Sequence, residues 1–218
     1  MMLERELRVL MSEYPDVVYG FTGIGYSPYA DRFASALVFA VPYGVQLAPG
    51  DYEEALFEQG IRMARTELER IVARIEDLLE SRGVAFWTPP VTQENETDLL
   101  APFSFKFAAV NAGLGWIGKN DVVITRRYGP RVRLSAILID AAFEYGTRIE
   151  TSACPEGCSL CVEACPCGAL RDRRWTLETQ RAEIIDFHRC NRMRSAFIER
   201  LGRKNACGLC LAACPIGR

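Results

Sequence analysis

The chain has 218 residues and a formal net charge of −2, with Lys and Arg nearly balanced by Asp and Glu. That length allows one or two domains with a real core, and the near balance gives no expectation of nucleic-acid binding from bulk charge. No stretch of about 18 apolar residues exists that could cross a membrane, and the opening MMLERELRVL lacks the apolar run of an export signal, so a cytoplasmic protein is expected.

In chain order, Leu3, Leu7, Leu10 and Met11 recur at helical spacing over residues 1–13. Residues 17–25 (VVYGFTGIG) predict a strand and a Gly-rich turn, and residues 35–42 (SALVFAVP) a buried strand, apolar without alternation. A long helix follows from about Tyr52 to Ser81. Its stripe is Ile61, Ala64, Leu68, Ile71, Val72, Ile75, Leu78 and Leu79, with Asp51 as N-cap and Gly83 as stop. Residues 84–88 predict a short strand closed by Pro89-Pro90. Residues 102–112 predict a helix running into the turn Gly113-Leu-Gly115. Strands are expected at 121–125 and 131–139, joined through Tyr128-Gly-Pro130. The first 145 residues therefore predict an α/β (α+β) domain around one sheet. Residues 113–118 (GLGWIG) match the bare dinucleotide pattern but follow a helix and precede a strand, the reverse of what that fingerprint needs.

Charge is unevenly spread, acidic over residues 1–60 and basic over 171–204. The basic stretch reads as solvated faces and counter-charge for anionic groups, or as a docking surface for an acidic electron donor or an RNA backbone. All nine cysteines lie after residue 153, which in a chain without an export signal argues for metal rather than disulfides. The expected division is residues 1–148 as an α/β domain and 149–218 as a cysteine-bearing domain.

The first cysteine motif is Cys154-x3-Cys158-x2-Cys161-x3-Cys165-Pro166. The second is Cys207-x2-Cys210-x3-Cys214-Pro215, with Cys190 upstream. A [4Fe–4S] cubane takes four thiolates, and in two-cluster proteins the cysteine before proline ligates the other cluster. That rule groups Cys154, Cys158, Cys161 and Cys214 on one cubane, and Cys190, Cys207, Cys210 and Cys165 on the second. Structural zinc would not account for the Cys-Pro endings. Cys167 is left over, either a buried free thiol or a ligand that displaces a neighbour. His188, two residues before Cys190, could face solvent, hydrogen-bond near a cluster, or serve a metal.

The stretch Ala112-Gly-Leu-Gly-Trp-Ile-Gly-Lys-Asn120, then Tyr128-Gly-Pro-Arg-Val-Arg-Leu, then the double cysteine motif, resembles the epoxyqueuosine reductases over roughly residues 35–218. More distantly it is similar to reductive dehalogenases. The resemblance implies a nitroreductase-like N-terminal domain holding cobalamin, and a ferredoxin-like domain whose two [4Fe–4S] clusters deliver electrons to it. It implies reduction of an epoxide in a tRNA anticodon loop, with a carboxylic acid protonating the leaving oxygen. A low-potential donor such as ferredoxin or flavodoxin would feed the clusters. By resemblance Gly113, Gly115, Trp116, Ile117, Gly118, Lys119 and Asn120 lie beside the corrin, the small residues giving it room and Lys119 or Asn120 bonding its amides. The same residues also read as a tight turn with Trp116 as core filling. The family's acid is an aspartate three residues before a proline. Counting back from Pro102 reaches Leu99, so Asp98 is the candidate acid by a one-residue slip, or else a loop or cap residue. The tyrosine acid of the dehalogenases has no single counterpart among Tyr19, Tyr26, Tyr29 and Tyr43. The family's C-terminal helical-repeat extension does not follow Cys214, which leaves the tRNA substrate open. Two functions are carried forward: a cobalamin-dependent reductase, and an electron-transfer protein that reduces a partner such as a corrinoid protein.

Overall fold

A computed structural model describes residues 2–45, 49–90, 99–202 and 204–217. The chain divides into two compact units. The first comprises Met1–Pro42, Ala64–Leu114 and Val132–Ile149. The second comprises Tyr43–Met63, Gly115–Arg131 and Glu150–Arg218.

The first unit is built on a four-stranded antiparallel sheet. Its strands are β1 (Val18–Gly23), β2 (Ser35–Pro42), β3 (Phe86–Trp87) and β6 (Val132–Ile139), in the order β1-β2-β6-β3. β2 pairs with both β1 and β6, from Ser35 opposite Ile139 to Pro42 opposite Val132. A central strand sheltered on both faces has no polar side to show, which is why Ser35–Val41 are all buried without alternation. Helix α1 (Met2–Ser12) buries Leu7, Leu10 and Met11. Helix α2 (Glu54–Ser81) starts two residues later than its apolar pattern predicts, because Pro49–Asp51 form a separate 3-10 turn. Within the first unit α2 buries Ala64, Leu68, Ile71, Ile75 and Leu79, the stripe expected from the 3.6-residue period. It ends at Gly83 as predicted, with the Val84 N–H bonded back to the Leu79 carbonyl. Two Arg–Glu pairs, Arg74–Glu13 and Arg82–Glu6, tie α2 to the α1 segment.

Helix α3 (Phe105–Asn111) starts on the Ser104 hydroxyl, which accepts from the Phe107 N–H. It ends in a Schellman turn: the Gly113 N–H bonds the Val110 carbonyl and the Leu114 N–H bonds the Ala109 carbonyl. Gly113 takes a φ of +75°, and a Cβ there would lie 2.7 Å from the Thr147 carbonyl oxygen. Conformation and space both demand glycine.

The second unit contains a separate two-stranded sheet, so the strand expected at 121–125 is present but does not belong to one sheet with β6. Strand β4 (Gly115–Ile117) pairs with β5 (Val123–Thr125), so GLGWIG is half turn and half strand. A Cβ on Gly115 would sit 2.1 Å from the Ile124 carbonyl oxygen, so the close pairing depends on its absence. The rest of this unit is loops and short helices: α4 (Leu160–Glu163), α5 (Arg181–Ile184), α6 (Phe187–Ser195), α7 (Ile198–Leu201) and α8 (Leu209–Ala212). α4 packs against α8. Ala169, Leu170 and Ile185 form a small core, and Cys161, Cys165, Cys167, Cys190 and Cys210 pack on it half-buried. Among the described residues no helix is long and apolar enough to cross a membrane.

Candidate metal centre

The first cysteine motif wraps α4. Cys154 and Cys158 lie in the loop before it, Cys161 on it, and Cys165 just after. The second motif wraps α8 in the same way, with Cys207 before, Cys210 on and Cys214 after the helix. Cys190 is carried by α6. All nine thiols are free of disulfides.

Cys154, Cys158, Cys161 and Cys214 line one small pocket, with Lys119, Asn120, Ile124, Pro155, Pro215 and Ile216. These are the four cysteines that the crossed spacing rule groups. The Cys161 thiol is pushed up to about 12 by burial and then by the Cys154, Cys214 and Cys158 sulfurs around it. Cys210 is raised by burial and then by Cys207, Cys161, Cys190 and Cys165, the other group of four plus Cys161 of the first. Cys190 is raised by burial, with Arg194 acting against it and Cys207 and Cys165 adding to it. Among the described residues, no three His, Cys, Asp or Glu side chains converge on a point that would hold a single ion.

Cys165 and Cys167 stand apart from this pattern. Their sulfurs are 3.8 Å apart, and Cys165 also accepts from the Ala169 N–H at 3.3 Å. Burial works to raise Cys165, but the N–H groups aimed at it and the Cys167 thiol hold it below the ordinary cysteine value. Cys167 is pushed up to about 11 by burial and by donating to that sulfur.

Three buried polar side chains brace the cysteine loops. Lys119 is 6 % exposed, and its Nζ donates to the Cys158 carbonyl at 2.8 Å and to Asp172 at 2.6 Å. The neighbouring Asn120 donates to the Cys210 carbonyl at 3.3 Å. Arg131, 7 % exposed, donates to the carbonyls of Leu211, Cys214 and Ile216. Gly129 leaves room for the same tail: a Cβ there would lie 2.0 Å from the Ile216 carbonyl oxygen. The two sequence signatures, GLGWIGKN and YGPRVRL, thus hold one cysteine loop from each motif.

The side-chain donors of Lys119 and Asn120, expected beside a corrin, are directed at cysteine-loop carbonyls. Trp116 is buried in β4 with its indole N–H unpartnered and the Arg126 guanidinium over its ring. Gly118 sits in the hairpin turn, its N–H bonded to the Val122 carbonyl. Asp98 lies outside the described residues. His188 is exposed and packs its ring on Phe187. Arg131 and Asp172 were not foreseen as part of the site. A charged residue just before an apolar strand, as Arg131 is before β6, is the one local hint for the former. For Asp172 no local signal exists.

No protein-family model matches the chain. It is 28% identical to the epoxyqueuosine reductase of Listeria monocytogenes over 97% of its own length and 57% of that protein. It is 31% identical to the epoxyqueuosine reductase of Synechocystis over 52% of the chain and 39% of that protein. The fold superposes on the epoxyqueuosine reductase of Bacillus subtilis with a TM-score of 0.64, covering 100% of this chain and 66% of that one at 18% identity. A reductive dehalogenase described as acting in B12-dependent dehalogenation superposes with a TM-score of 0.70 over 97% of this chain and 31% of that one, also at 18% identity. The chain spans little more than half the length of the Listeria relative. In sequence and in fold the chain is similar to epoxyqueuosine reductases, and it is shorter than the relatives it matches.

Proposed function

We propose that the protein is an iron–sulfur reductase that passes low-potential electrons through two [4Fe–4S] clusters. One is held by Cys154, Cys158, Cys161 and Cys214, the other by Cys190, Cys207, Cys210 and Cys165. The observation that carries this reading is the pocket at which the first four cysteines meet, three from one motif and the last from the other. The ligands of a cubane bind four different irons, so they ring a volume instead of converging on a point. Four donors that line a shared pocket, drawn from both motifs, fit that demand better than they fit a mononuclear zinc site. α4 and α8 bring Cys161 and Cys210 near each other, which suits transfer of an electron between adjacent clusters. The second unit would then be a ferredoxin-like wire and the first a nitroreductase-like partner domain.

Within this reading the chain's own residues hold and orient. Lys119 and Arg131 fix the carbonyls of both cysteine loops, and their buried positive charge opposes the negative charge of a loaded cluster. Cobalamin, which the relatives point to, would supply a strongly reducing cobalt centre. The donors first expected to hold it are directed at the cysteine loops, so other residues would have to bind it. A donor such as ferredoxin or flavodoxin in the cytoplasm would supply the electrons. The same commitment of Lys119 and Asn120 favours a second reading, in which the chain reduces a partner and binds no corrin itself. Anaerobic expression with hydroxocobalamin separates the two. A corrin absorption band that stays with the protein through gel filtration supports the reductase, and loss of the band leaves the electron-transfer protein.

A further inference from the structure

Cys167 is the one cysteine that the two groups of four leave without a task, and it does not stand alone. Its sulfur lies 3.8 Å from that of Cys165. Thiolates on different irons of a cubane stand farther apart. The Cys165–Cys167 separation is therefore that of two sulfurs able to reach the same corner of a cluster. Both pack on the core of Ala169, Leu170 and Ile185, together with Cys190 and Cys210 of the second group. The left-handed turn at Gly168 and the Ala169 N–H that points at Cys165 hold the short loop in this shape.

We propose that Cys167 is a reserve ligand for the iron of the second cluster that Cys165 holds. Each iron of a cubane has one position for a thiolate, so only one of the two sulfurs binds at a time. In the exchange the Cys167 thiol gives up its proton and forms an Fe–S bond. The Cys165 thiolate leaves the same iron and takes up a proton. No electron is gained or lost. The cluster can then survive loss or oxidation of one sulfur at that corner. The inference rests on the two-cluster reading and adds a ninth cysteine to it.

The test uses the full chain, purified anaerobically, with iron and sulfide counted and the dithionite-reduced protein examined by electron paramagnetic resonance. Wild type holding about eight irons establishes the two-cluster reading. Cys165→Ala and Cys167→Ala are each expected to keep about eight, Cys165→Ala with altered signal shape, while the double variant falls to about four. If wild type holds about eight but Cys165→Ala alone falls to about four, the reserve role is overturned and the two-cluster reading stands. A double variant that still holds eight overturns it equally. Wild type without a second cluster removes both.

Discussion

Lys119 shows how a residue can be legible in the sequence while its task is not. Its place in GLGWIGKN marks it as functional, and a lysine at 6 % exposure needs partners wherever it sits. The partners, the Cys158 carbonyl and Asp172, lie 39 and 53 residues along the chain and carry no local signal. Replacing Lys119 by Met removes the donor of a buried carbonyl and should cost about 1–3 kcal/mol, read as a lower urea midpoint under anaerobic conditions. Asp172 is half exposed, so Asp172→Asn should cost below about 1 kcal/mol. Arg131 bonds three carbonyls at the end of the second motif, and Arg131→Met strands all of them. We expect about 3 kcal/mol from that change, with preferential loss of the cluster that includes Cys214. A variant as stable as wild type would show that water takes over these bonds.

At the scale of elements, helices α1, α2 and α3 and the long strands were readable because their signals are local. The stripe of α2, its stop at Gly83 and the unbroken apolar run of β2 all appear where the periodicity puts them. Of the β4–β5 hairpin, β5 falls inside the strand expected at 121–125, whereas β4 was hidden because a three-residue strand opening on glycine carries no period. Gly113 and Gly83 make a matched pair, both with positive φ, but only Gly113 has backbone where a Cβ would go. Gly83→Ala should cost about 1–2 kcal/mol from conformation alone. Gly113→Ala should cost clearly more, because the Thr147 carbonyl must also move. Equal melting temperatures for the two variants would contradict the close approach. The α1–α2 contact should depend on pH. Hydrogen bonds from Arg82 and Arg74 hold the Glu6 and Glu13 carboxyls below the ordinary glutamate value, and the arginine charges add to this. A depressed carboxyl stabilises the fold above its unfolded pKa of about 4.3 and loses that contribution as pH falls below it. The melting difference between wild type and Arg82→Gln should therefore be present at pH 7 and shrink towards pH 3.

For the whole molecule, the cysteine spacing was the strongest signal because cubane ligation is written in short local turns. What the spacing does not carry is the recruitment of Tyr43–Met63 and Gly115–Arg131 into the cysteine-bearing unit. Those segments join through tertiary contacts: Glu54 accepts from the Ala206 N–H, and Arg131 and Gly129 receive the chain after Cys214. Loaded clusters would add roughly four negative charges to a chain whose formal charge is −2, with the basic residues of 171–204 in the same unit. The central claim is that two cubanes occupy this unit, and metal content tests it most directly. Anaerobically purified protein should hold about eight irons and eight acid-labile sulfides per chain, with a broadened spectrum from two neighbouring reduced clusters. About four irons, or zinc without sulfide, would contradict it.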